Sequence, residues 1–233
     1  MKVALCLHGR VGSMSGKTYS KDSDSNKALE LSAQHTKVNL LDDNVDVFIH
    51  SWSLDSKEEL LENYLPKRYI IEKQKHFDIP NYIKADNERA FAHLSRWYSF
   101  YESVKLKSQY EEDNSFKYDL VLCQRFDICW DTKVDFTSFD SSKFYLGNSN
   151  LNPKVEWDDR WCITNSSDMD KFSSLYYKLE EYMGPDGELK SDKQYAGISS
   201  HFLICYHANK LGLEEKFKYT YQKDYDVTRQ KYS

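Results

Sequence analysis

The chain contains no apolar run near the ~20 residues a bilayer crossing needs, and the stretch after Met1, Val3 to Leu7, is too short for a signal-peptide core. A cytoplasmic protein without a membrane span is expected. Cysteine is sparse and scattered: Cys6, Cys123, Cys129, Cys162 and Cys205 form no C-x-x-C pair, so spacing proposes neither zinc nor dithiol chemistry. They read as buried free thiols in a reducing compartment. Positive charge is not in excess, because 32 Lys and Arg face 37 Asp and Glu for a net charge of -5. A general nucleic-acid binder needs a basic surface to displace counterions, so any phosphate site here must be local. No internal repeat is visible.

What is present points to a packed α/β protein. At 233 residues the chain is read as one domain, 1–233, and 40% apolar with 30% charged residues is a balance unlike that of disordered or membrane-spanning chains. Eighteen Tyr and five Trp supply flat amphipathic rings of the kind that stack on a base or a sugar, although most serve as core or surface. Val3 to Leu7 reads as a first strand leading into His8-Gly9-Arg10, and the Ser-, Gly- and Lys-rich stretch from Gly12 to Asn26 as a loop. Val45 to His50 is a second strand ending at Ser51-Trp52. Asp55 to Tyr64 reads as a helix with Asp55 and Glu58 spaced for a capping box, stopped by Pro66, and Arg68 to Glu72 as a third strand. From Arg89 to Gln109, Phe91, Leu94, Tyr98, Tyr101 and Val104 draw one helical stripe, with His93, Arg96 and Ser99 elsewhere on the wheel. Tyr118 to Cys123 is nearly all apolar, as in a strand covered on both faces. Ser167 to Met183 and about Gln194 to Leu211 complete the helices. Strands alternating with helices indicate βαβ units and a mostly parallel central sheet.

In such sheets ligands sit beyond the carboxyl ends of the strands, which directs attention to Gln124-Arg125-Phe126-Asp127-Ile128-Cys129-Trp130-Asp131. If this segment stays extended, Arg125, Asp127 and Asp131 share one face and Phe126, Ile128 and Trp130 the other. Carboxylates so placed suit Mg²⁺ or Mn²⁺ shared with substrate phosphates, with Asp127 the central ligand; the alternative is a plain strand-end ion pair between Arg125 and Asp127.

Several blocks taken together, Val3-Ala4-Leu5-Cys6-Leu7-His8-Gly9-Arg10, Val45-Asp46-Val47-Phe48-Ile49-His50-Ser51-Trp52, Ser95-Arg96-Trp97-Tyr98-Ser99, Tyr118-Asp119-Leu120-Val121-Leu122, Arg125-Phe126-Asp127, Asp158-Asp159-Arg160-Trp161 and Leu211-Gly212-Leu213, give the chain a family likeness. It resembles the small GT-A glycosyltransferases of large DNA viruses and phages, with relatives in bacterial surface-polysaccharide clusters. The resemblance implies a single GT-A (Rossmann-like) domain and, for a viral source, a place in the host cytoplasm. It also implies a nucleotide-sugar donor such as UDP-glucose and a glycan or other hydroxyl acceptor. Arg-x-Asp then stands for the metal-holding D-x-D motif, with Arg125 in place of its first Asp and Asp127 as the direct ligand of Mn²⁺ or Mg²⁺. Asp131 coordinates or supports it, and a later histidine, His201 in preference to His207, is a further candidate ligand. His8, Gly9, Arg10, Ser51 and Trp52 are expected to meet the nucleotide, and Arg96, Arg125 and Arg229 to balance its diphosphate. Asp158 and Asp159 are candidate bases for an inverting transfer, Asp158 first. For each of these residues a packing, capping or surface role is the competing interpretation.

Three other functions compete with this one. Gly16-Lys17-Thr18 ends like a Walker A loop, but the position five before Gly16 is Val11, where that motif needs glycine. A glycosidase is poorly served by Asp158 and Asp159, because adjacent residues on a strand point to opposite faces. A carbohydrate-binding relative without turnover is the third.

Overall fold

The computed structural model describes residues 1–14, 24–147, 156–190, 198–220 and 225–232. Gly16-Lys17-Thr18 therefore lies outside the described residues. The strands are β1 (Val3–Gly9), β2 (Val45–Ser51), β3 (Arg68–Ile71), β4 (Leu120–Arg125), β5 (Ile128–Trp130), β6 (Phe144–Gly147), β7 (Trp161–Thr164), β8 (Phe217–Thr220) and β9 (Tyr225–Val227). The helices are α1 (Asp24–Asn39), α2 (Lys57–Tyr64), α3 (Asn87–Asn114), α4 (Ser166–Ser173), α5 (Leu175–Met183), α6 (Ser200–Lys210) and α7 (Thr228–Lys231).

Seven strands form one sheet in the order β3-β2-β1-β4-β7-β6-β8, in which only β7 runs against the rest. This is the mostly parallel, Rossmann-like α/β arrangement expected from the sequence. Period-two alternation splits β1 between two cores. Val3, Leu5 and Leu7 pack with Leu29 and Ala33 of α1 and Leu60 of α2, while Ala4 and Cys6 face Leu94, Trp97 and Phe100 of α3 on the other side. The chain runs outward from β1 to β2 and β3, then returns through α3 to place β4 on the other flank of β1. The carboxyl ends of β1 and β4 thus meet at the point where strand order reverses, which is where open α/β sheets bind ligands.

Several local expectations are corrected. Helix α3 begins at Asn87, with the Asp86 side chain accepting from Arg89 N–H at 2.8 Å, and it buries more than the expected stripe: Trp97, Ser99 and Phe100 are all inside. No Asp55–Glu58 capping box is made, because Leu54–Ser56 forms a 3-10 turn and α2 starts after it. The expected helix from Ser167 to Met183 is two, broken at Ser174. There the Ser173 and Ser174 hydroxyls bond the carbonyls of Asp170 and Lys171, at 2.9 and 2.7 Å, in competition with the helical ladder. The segment after β4 is not continuously extended: Phe126 and Asp127 form a turn, and β5 leaves the main sheet to pair with β9. Helix α1, with few large apolar positions, was not foreseen.

Candidate functional site

The site begins where β1 runs out. His8 is 1% exposed, on the α3 face of the strand, and Gly9 then takes φ +95°, a backbone shape that side-chain-bearing residues avoid. The turn is held from three directions. Gly9 N–H donates to Ser99 Oγ at 2.7 Å, and Gly9 O accepts from Trp52 N–H at 3.1 Å and from the Ser51 hydroxyl at 3.0 Å. Ser99 in turn lies 2.7 Å from His50 Nδ1. Burial, outweighing the neighbouring Glu72, lowers His50 to about 4, so this brace is uncharged at neutral pH. Gly12, at φ +94°, crosses so close to Asp127 that a Cβ would lie 3.0 Å from the aspartate's own Cβ.

Around this turn stand four arginines and three aspartates. Arg125, at the end of β4, forks both oxygens of Asp127 through Nε, at 2.8 Å, and Nη2. The short helix α7 sets Arg229 3.8 Å from the same carboxylate and is anchored by Thr228 N–H donating to Asp127 O at 2.8 Å. Arg96 of α3 pairs with Asp159, and Arg160 forks Asp158 with contacts of 2.6 to 3.0 Å. The Tyr225 hydroxyl adds a 3.2 Å bond to Asp158, and its approach requires Gly147, whose Cβ would sit 2.1 Å from that oxygen. Burial would raise Asp159, but the fields of Arg96, His201 and Arg125 hold it at about 2, so it is ionised at neutral pH. His8 is pushed the other way. Burial first, then Arg96 and Arg125, lower it well below the usual histidine value and keep it neutral. Among the described residues, its Nδ1 and the Arg96 Nε are buried without a hydrogen-bond partner.

His8, Arg96, Asp158, Asp159, Arg160 and Trp161 line one narrow pocket. A wider cleft of about 500 Å³, bordered by Val3, Asn44 and Lys133, lies at the amino-terminal end of β1, away from the charged layer.

The remaining expected residues divide. Arg10 is exposed at the start of the loop. Trp52 is buried, stacked on Tyr98 with ring centroids 5.7 Å apart, and so acts on the loop through its backbone. Asp131 is at the surface in an ion pair with Lys231. His201 Nδ1 lies 2.8 Å from Trp157 O. His207 is a packing residue, fully buried, with its nitrogens engaged by Tyr182 OH at 2.8 Å and Phe172 O at 3.1 Å. Among the described residues, no three His, Cys, Asp or Glu side chains converge on one point.

Ser99, His50, Gly12 and Tyr225 were not anticipated at the site. Ser99 was marked in the sequence only by its place off the apolar stripe and in the Ser95-Arg96-Trp97-Tyr98-Ser99 block, neither of which gives it a partner. Tyr225 arrives through the β5–β9 pairing, which leaves no local signature.

No family model and no curated protein matches the chain. Among solved structures it is similar to a crystal structure from Desulfovibrio desulfuricans G20, named provisionally as a nucleotide-diphospho-sugar transferase. Identity is 10%, the match covers 94% of this chain and 79% of that one, and the TM-score is 0.45. A likeness of that degree assigns neither activity nor residue roles.

Proposed function

We propose that the chain, 1–233, is a GT-A-type glycosyltransferase that moves a hexose from a nucleoside-diphosphate sugar, UDP-glucose or similar, to a hydroxyl of a glycan or other acceptor. One observation carries this reading: Arg96, Arg125, Arg160 and Arg229 converge with Asp127, Asp158 and Asp159 at the carboxyl ends of β1 and β4. Four guanidiniums against three carboxylates leave the layer one charge positive, where a diphosphate would enter an open α/β sheet.

In the transfer, the bond from the anomeric carbon to the diphosphate breaks and its electron pair leaves on the diphosphate. The acceptor oxygen bonds to that carbon and gives its proton to a carboxylate. Guanidiniums aimed at the leaving diphosphate stabilise charge as it develops, often the largest catalytic contribution. An ionised carboxylate held at about 2 is a weak base, so Asp159 serves to orient Arg96; on an inverting route the base is Asp158, once the acceptor hydroxyl displaces Arg160 or Tyr225 from one of its oxygens.

The sequence pointed to Mn²⁺ or Mg²⁺ on Asp127, Asp131 and His201. In the present arrangement these side chains do not fit such an ion. Both Asp127 oxygens are forked by Arg125, with Arg229 close by, and Asp131 is paired with Lys231. An ion on Asp127 would have to displace the Arg125 fork and sit beside Arg229. No step is therefore routed through a metal.

The test is a melting panel with uridine diphosphate, guanosine diphosphate and ATP. A ligand at a hundredfold excess over its Kd adds ~2.7 kcal/mol, about 5–10 °C in Tm for a chain this long. One nucleoside diphosphate should give that rise. Stabilisation by ATP alone would instead favour the phosphate-loop reading centred on Gly16-Lys17-Thr18.

A further inference from the structure

His8 Nδ1 and Arg96 Nε are buried without a partner among the described residues, and both residues line the same narrow pocket beside Asp158, Asp159 and Arg160. That pocket measures about 10 Å³, room for one water and none for a phosphate, so a diphosphate has to be met at the outer face of the charged layer.

The same layer holds Arg125 and Arg229 on one carboxylate. Arg125 meets Asp127 through two nitrogens, Nε at 2.8 Å and Nη2, while Arg229 Nη1 stands 3.8 Å from Oδ2. Each arginine comes from a separate element, β4 and α7; the aspartate fixes Arg125 by two hydrogen bonds and holds Arg229 only at ion-pair distance. Asp127 is itself clamped: Thr228 N–H and Oγ1 bond its carbonyl at 2.8 and 3.1 Å, and Gly12 packs on its Cβ. A rigid carboxylate with two cationic groups on it is a device for presenting guanidinium nitrogens.

Resting on the donor reading above, we infer that the donor diphosphate is bound directly by Arg125 and Arg229, the two arginines gathered at Asp127, and that binding is independent of divalent metal. Positive charge that a metal would contribute is supplied by fixed guanidiniums. Asp127 then acts through its arginines and touches no phosphate.

The two assignments for Asp127 predict opposite behaviour of one variant. If Asp127 ligates a metal, Asp127→Asn removes the ligand charge and abolishes binding. If it only positions arginines, Asp127→Asn keeps an acceptor oxygen and removes a competing negative charge, so binding persists. The experiment is calorimetric titration of the full chain with uridine diphosphate and guanosine diphosphate, each in EDTA and in Mn²⁺. It uses wild type, Asp127→Asn and Arg125→Ala, with circular dichroism melts to check that each variant is folded.

The expected result is a Kd that changes less than about threefold between EDTA and Mn²⁺ and is similarly retained in Asp127→Asn, with at least a tenfold loss in Arg125→Ala. Binding seen only with Mn²⁺ and lost in Asp127→Asn would overturn this inference while leaving the glycosyltransferase reading intact. Metal-independent binding that Arg125→Ala does not weaken would place the ligand elsewhere and overturn it as well. If neither nucleotide binds under either condition, the donor reading falls and takes this inference with it.

Discussion

Replacing Arg125 with alanine should lower kcat/KM for sugar transfer by about a thousandfold, some 4 kcal/mol of transition-state stabilisation, while the protein stays folded. Arg125 ends a central strand with its side chain 27% exposed on the ligand edge, so its removal opens no core cavity. Its charge acts on all three carboxylates of the layer, Asp127 first and then Asp159 and Asp158. Loss should fall on kcat as well as on KM, because the diphosphate gains negative charge only as the sugar departs. Arg125→Lys should recover only part, since an ammonium restores the charge and not the two-pronged geometry. Steady-state kinetics on the three proteins read this directly. An Arg125→Ala enzyme within tenfold of wild type would remove Arg125 from the mechanism.

The largest effect on stability is expected at Glu111, far from the donor edge. Its side chain is fully buried and accepts from Lys107 Nζ at 3.0 Å, Lys117 Nζ at 2.8 Å, Ser166 Oγ at 2.6 Å and Tyr118 N–H at 2.8 Å. Burial alone would raise this carboxyl, but those donors outweigh it and hold it below its usual value. Lys107 is also fully buried, and its other carboxylate partner is Asp170, at 2.6 Å. Glu111→Ala would strip an acceptor from two ammonium groups and leave the Tyr118 N–H buried and unmet, at a cost of ~3–5 kcal/mol. For a chain of this length that is a fall of about 10 °C in Tm. Because well-packed apolar groups can replace a buried ion pair at little cost, the double variant Lys107→Met, Glu111→Leu should melt closer to wild type. Thermal unfolding checks both, and a Glu111→Ala protein melting within 2–3 °C of wild type, under about 1 kcal/mol, would contradict the account.

Much of the sheet was legible because its signals are local. Val3 to Leu7 and Val45 to His50 read as strands, and the apolar run before Arg125 identified the central strand beside β1, shifted by two residues. Short-range patterns failed where small polar residues intervene. Ser173-Ser174 splits a helix whose apolar stripe runs on through it, and the Phe126-Asp127 turn breaks an alternation that looked continuous.

At the site, Arg96, Arg125, Asp127, Asp158, Asp159 and Arg229 were all singled out from the sequence, but of their pairings only Arg125 with Asp127 was among the options. Arg96 meets Asp159 across 63 residues, and Arg229 reaches Asp127 only because β9 pairs with β5. Such partners are set by topology, which no local period encodes. The fork of Arg125 on Asp127 was read as one of two options, and the turn between them supplies its geometry. The Ser99 brace on Gly9 was missed because a serine inside a helix gives no sign of the loop it will hold.

The central claim is that this chain transfers sugar from a nucleoside diphosphate, and the most direct measurement is release of free nucleoside diphosphate from a panel of nucleotide sugars, in EDTA and in Mn²⁺, beside ATP. The account predicts release from one nucleotide sugar, faster when a hydroxyl acceptor is added, lost in Arg125→Ala, and no turnover of ATP. Hydrolysis of ATP with every nucleotide sugar left intact would contradict it.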